Sequence, residues 1–192
     1  MMQEMDLFKS GSDRSALERV KRDGMELQFI ENQTEEICLA AVKNNAWALE
    51  FVKEQTPEIC LAAVSDCGQT LEFVKEQTPE ICLVAVRESG IALEFVKEQT
   101  PEICSAAIKR SGIALKFVKN KTPELCLMAV RKNDLALKFV DEQTPEICMA
   151  AVQQFWYALL YVKEQTPEIC LAAIKQNPEA KQFVRIALDQ ED

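Results

Sequence analysis

The chain has 192 residues, 48% of them hydrophobic and 28% charged, with only 5 Gly and 7 Pro, a balance that describes a folded globular protein and excludes a disordered one. Its formal charge is −9, with 19 acids against 10 bases over residues 1–99 and 12 of each over 100–192. This disfavours general attraction to nucleic acid or an anionic membrane and favours basic partners, although a solubilising surface explains it equally well. Histidine is absent, so the commonest general base near neutral pH and the commonest metal ligand are both missing.

In chain order, Met1 to Ser10 carries Glu4 and Asp6 and no apolar leader core, so a cytoplasmic setting is expected. No apolar run reaches the ~20 residues that cross a bilayer. Ser12 or Asp13 can cap a first helix running through Leu17 and Val20.

From there a repeat takes over. Thr-Pro-Glu-Ile-Cys begins at Thr56, Thr78, Thr100, Thr144 and Thr166; Leu125 replaces Ile in the copy from Thr122, and Glu35 replaces Pro after Thr34. The interval is always 22 residues. A fainter copy aligned on Ser12 keeps Leu17, Val20, Leu27, Phe29 and Ile30, which makes eight units. A fixed short period means stacked repeats, because one such unit cannot bury its apolar face alone. The expected fold is all-α, a right-handed-type α-solenoid of about eight helix-turn-helix repeats in one continuous domain. It divides into an N-terminal arm and degenerate capping repeat over 1–33, six repeats over 34–165, and a C-terminal capping repeat and tail over 166–192.

Within the unit Thr56–Gln77, Thr56 is the expected N-cap. Pro57 holds the preceding residue extended and has no N–H to leave unpaired, and Glu58 favours the positive end of the helix dipole. The first helix, about Pro57 to Val64, is apolar nearly all round and is expected to be buried between neighbours. Gly68, Gly90 and Gly112 stand where a helix C-terminus takes a left-handed residue. A second helix, roughly Thr70 to Gln77, should turn Leu71, Phe73 and Val74 inward and Glu72, Lys75 and Glu76 outward. Its aromatic position recurs as Phe29, Phe51, Phe73, Phe95, Phe117, Phe139, Tyr161 and Phe183, a pattern expected of a core ladder.

Cys38, Cys60, Cys82, Cys104, Cys126, Cys148 and Cys170 occupy one place in successive units. Packed helices lie ~8–10 Å apart, beyond the ~7 Å reach of a disulfide. Reduced, buried seam residues are expected. Zinc is a poor fit without histidine or closely paired cysteines. At the end of the chain, Asn177-Pro178-Glu179 restarts a helix, and Lys181 stands where other units have leucine.

The string TPEICLAAV followed by ALEFVKEQ resembles a bacterial helical-repeat family catalogued only as a domain of unknown function, number four thousand one hundred and sixteen. The resemblance covers about residues 34–187. It implies an α-helical repeat and carries no activity.

In such an array the positions that differ between units form the surface offered to partners. They are the inter-helix stretches 44–47, 66–69, 88–91, 110–113, 132–135 and 154–157. The last holds Phe155-Trp156-Tyr157, three adjacent aromatics of a kind enriched at binding hot spots, with packing against the C-terminal cap as the competing explanation. Trp47 shares the register of Tyr157. A non-enzymatic scaffold binding a protein or peptide is therefore expected, through Trp47, Phe155, Trp156 and Tyr157. The alternative is an acidic inhibitor or nucleic-acid mimic using Glu50 and Glu72 against a basic groove. A third reading, RNA read one base per unit, needs a basic surface this chain lacks overall. No catalytic, cofactor or metal residues are expected; Cys67, the one cysteine off the core register, follows the carboxylate of Asp66 and is an ordinary thiol. The polar end units point to a monomer.

Overall fold

The computed structural model describes residues 13–188. Among them there is helix and no strand, repeating every 22 residues, which is the pattern of an α-solenoid. The chain divides into two compact units, Met1–Lys97 and Glu98–Asp192.

In the first unit, a helix over residues 13–22 (α1) is followed by α2 (Glu35–Asn44), α3 (Pro57–Asp66) and α4 (Pro79–Glu88). Each is followed by a six-residue 3₁₀ helix: η1 (Gly24–Phe29), η2 (Ala46–Phe51), η3 (Gly68–Phe73) and η4 (Gly90–Phe95). The second unit repeats the plan with α5 (Pro101–Arg110), η5 (Gly112–Phe117), α6 (Pro123–Lys132), η6 (Asp134–Phe139), α7 (Pro145–Gln154), η7 (Trp156–Tyr161), α8 (Pro167–Gln176) and η8 (Pro178–Phe183). Within each unit, consecutive 3₁₀ helices are neighbours and form a row of their own.

The threonine caps are as expected. Thr56 Oγ1 accepts the Ile59 N–H at 3.4 Å, and Thr34, Thr78, Thr100, Thr122, Thr144 and Thr166 do the same for their helices. The Thr166 hydroxyl and the Glu168 backbone N–H hold the Glu168 carboxyl below its ordinary range; at Glu124 its own backbone N–H and then the Thr122 hydroxyl do the same. Ser12 lies outside the described residues.

The second helix differs from the expectation. It is 3₁₀ rather than α, it starts two residues earlier than Thr70, and its bonds run from Thr70 N–H to Cys67 C=O and from Val74 N–H to Leu71 C=O. With three residues per turn, side chains three apart eclipse. Gly68, Leu71 and Val74 form the buried row in this unit, as Ala46, Leu49 and Val52 do in the preceding one. Residues 47 and 50 therefore point outward together. The phenylalanines fall on the third row, beside Ala48 and its equivalents, where the small residue is buried and the larger ring protrudes. The aromatic ladder is accordingly half-buried instead of core, and Phe29 is 64% exposed. The α-helices are likewise one-sided: Ile59, Cys60, Ala63 and Val64 are buried, while Leu61 and Ala62 are half-exposed.

The glycines also act otherwise than expected. No residue has a positive φ among those described. A Cβ on Gly68 would lie 2.2 Å from the Ala85 carbonyl oxygen, and one on Gly24 would lie 2.4 Å from that of Ala41. The need is for close approach of a 3₁₀ start to the next α-helix end, and not for a left-handed turn.

A glutamine ladder joins the repeats. Gln55 Nε2 donates to the Phe73 carbonyl at 2.8 Å, while its Oε1 accepts the Lys75 N–H at 3.0 Å and the Cys60 thiol at 3.6 Å. Gln33, Gln77, Gln99, Gln143 and Gln165 repeat the arrangement. Lysines reinforce it: Lys75 Nζ donates to the Lys53 carbonyl at 2.7 Å and Lys97 Nζ to that of Lys75 at 2.8 Å. All seven core-register cysteines are buried and free, and burial raises each thiol pKa.

Candidate partner-binding surface

The outward rows of the 3₁₀ helices present residues that differ from repeat to repeat. In the first unit, η2 offers Trp47 and Glu50, η3 offers Gln69 and Glu72, and η4 offers Ile91 and Glu94. Trp47 is 40% exposed and Ile91 38%. Both therefore combine an anchored base with an open apolar face. Trp47 is seated edge-on against Phe73, ring centroids 5.9 Å apart. Asn45 fixes the start of η2 by accepting the Trp47 N–H at 3.0 Å. Glu50 and Glu72 are fully outward and lie one repeat apart on the same row.

In the second unit the corresponding pairs are Ile113 with Lys116, Leu135 with Lys138, and Tyr157 with Leu160. Lys116 Nζ sits 5.1 Å from the centroid of Phe117, and Lys138 Nζ 4.2 Å from that of Tyr161. Each ammonium is held against the negative face of a ring, a cation–π contact that limits where the charge points.

Three adjacent aromatics, Phe155 at the cap of η7 and Trp156 and Tyr157 within it, converge with two others. Trp156 stacks on Phe183 at 5.9 Å and 25°, and Tyr157 meets Phe183 edge-on at 5.0 Å and Tyr161 at 6.4 Å. Phe155 lies 5.6 Å from Trp156 and 6.3 Å from Tyr157, and remains 47% exposed. The Trp156 N–H also donates to Gln176 Oε1. Trp156 and Tyr157 thus cover η8, the packing role weighed from the sequence, while Phe155 stands at the edge of the cluster. Trp47 does not belong to this cluster; its partner is Phe73.

Two sets of residues escaped the sequence reading. Lys116 and Lys138 carry the opposite charge to Glu50, Glu72 and Glu94 at the same register position. The signal is visible once position 50 is followed down the repeats. Phe183 is one more ladder aromatic by its register, yet in the structure it is the platform on which Trp156 and Tyr157 sit. Among the described residues no group of three or more Cys, Asp or Glu is placed to hold a metal ion, and no helix is long and apolar enough to cross a membrane.

Residues 122–166 match the family model described as Domain of unknown function (DUF4116). The match runs from one cap threonine, Thr122, across two repeats to another, Thr166; the remaining repeats share the pattern. No curated protein and no solved structure matches the chain.

Proposed function

We propose that the protein is a non-enzymatic interaction module of the cytoplasm, binding a protein or peptide through the outward face of its 3₁₀ helices. One observation carries this reading. The first eight positions of each α-helix repeat almost unchanged, whereas the outward 3₁₀ positions vary and leave large apolar side chains open, with Trp47, Ile91 and Leu135, and Phe155 at the cap before η7, all more than a third exposed. Apolar anchors rimmed by charge are the usual form of a binding hot spot.

The test is retention of a specific partner by the purified chain, compared with a Trp47→Ala plus Phe155→Ala variant whose helicity and melting are checked. These two side chains are chosen because Trp156 and Tyr157 also cover η8, so their loss would mix binding with folding. Loss of the partner by a folded variant supports the reading; undiminished retention overturns it.

The row of Glu50, Glu72 and Glu94 favours a second reading, an acidic mimic that occupies a basic groove. Binding by that route would fall steeply with salt and disappear on Glu50→Lys plus Glu72→Lys. Binding indifferent to both would exclude it.

A further inference from the structure

We infer that the partner this face is built to receive includes a second copy of the same chain, the glutamate row of one copy lying on the lysine row of another. The inference rests on the reading of the outward 3₁₀ face as a binding surface. Residues three apart eclipse in a 3₁₀ helix, so each helix from η2 to η6 contributes one variable side chain and one charged side chain to the face of its unit, whereas η7 carries Leu160 at the charged position. In the first unit the charged position reads Glu50, Glu72, Glu94; in the second it reads Lys116, Lys138.

The two rows share a spacing as well as having opposite sign. The glutamates stand on three successive 3₁₀ helices, η2 to η4, and the lysines on two, η5 and η6, each helix being the immediate neighbour of the next within its unit. The two lysines laid along the glutamate row therefore meet two successive glutamates, one on each 3₁₀ helix, without a change of register. Alone, each row repeats a single sign and is mildly self-repelling, and the opposing row removes that repulsion. The lysine heads are already positioned by Phe117 and Tyr161. Beside the charges, Trp47 and Ile91 on one row and Leu135 on the other are partly exposed, so the same contact covers apolar surface. The charges set register and steer the encounter, and the apolar neighbours supply the affinity. Cyclic dimers are by far the commonest closed assemblies of identical chains, so a dimer is the expected product of this contact.

The experiment is sedimentation velocity of the purified full chain over a range of salt, with Lys116→Glu plus Lys138→Glu and Glu50→Lys plus Glu72→Lys plus Glu94→Lys as reversed rows. The expected results are a dimer at low salt that is lost as salt rises, loss of the dimer in each variant alone, and its return when the two variants are mixed. Lys116→Gln plus Lys138→Gln, which removes the charge without inverting it, should also lose the dimer. A wild-type monomer at low salt overturns the inference, as do variants that dimerise unchanged or a mixture that stays monomeric. Because no other protein is present, failure here alongside partner capture lost on Trp47→Ala plus Phe155→Ala would discard the second copy and leave the binding face standing.

Discussion

Lys121 Nζ lies 2.9 Å from Asp141 Oδ2, and the two residues occupy positions that hold glutamine and lysine in neighbouring repeats. In the other junctions a glutamine amide bonds the backbone at the end of the next 3₁₀ helix; here an exposed ion pair spans the same gap. Both partners have changed together, so the junction is joined by different chemistry and not simply broken.

That exchange predicts a local response to salt and acid. Lys121 beside Asp141 holds its carboxyl below the ordinary value of 3.8. A depressed carboxyl contributes stability that is complete above its unfolded value and lost as pH falls through the lower folded value. The η5–η6 junction should therefore loosen in acid and in salt, with faster amide exchange over residues 134–139 than over 68–73. The Lys121→Gln plus Asp141→Lys chain should abolish that sensitivity and raise the melting temperature, measured by circular dichroism.

The ordinary junctions predict the cost of losing a clip. Gln55→Ala removes the acceptor of the Lys75 N–H and the donor to the Phe73 carbonyl. With the partly buried Phe73 carbonyl left unmet, the expected loss is about 1–3 kcal/mol in urea unfolding. Gln55→Glu keeps the acceptor and loses the donor, and should fall between the two.

Close approach at the 3₁₀ starts predicts a cost for one methyl group. Gly68→Ala places a Cβ against the Ala85 carbonyl oxygen, and overpacking of this kind costs about 1–3 kcal/mol. A change at Gly68 that leaves the melting temperature unaltered would contradict the packing account. Ala46, buried at the same register, shows that the approach is not equally tight in every repeat.

The repeat period, the cap threonines and the buried cysteines were legible in the sequence because each depends on local chemistry repeated in register. The 3₁₀ helices are not legible there. Leu71, Phe73 and Val74 fit an α-helical stripe over a short window, and only the buried Gly68-Leu71-Val74 row, three apart, separates the two. The glycines misled for a related reason: a turn and a close approach both select glycine, and the carbonyl that decides between them belongs to the next repeat. Gln55 gives no local signal, since its partners lie 18 and 20 residues away.

The thiols predict an alkaline limit. Burial raises the pKa of all seven core-register cysteines above the ordinary 9.0. A raised pKa contributes stability that is full below the unfolded value and lost as pH climbs through the folded one. Unfolding free energy should therefore decline above about pH 9, with a shallower decline in Cys60→Ala. In the native chain at neutral pH, a maleimide should label Cys67 well before the others.

The central claim is that partners bind to the 3₁₀ face and not to the half-exposed side of the α-helices that carries Leu61 and Leu83. Amide hydrogen exchange of the chain alone and with its captured partner tests this most directly. Protection gained across Ala46–Phe51, Gly90–Phe95 and Asp134–Phe139, with α3 and α6 unchanged, is the predicted result. Protection gained on the α-helices, with the 3₁₀ segments unaffected, would contradict it.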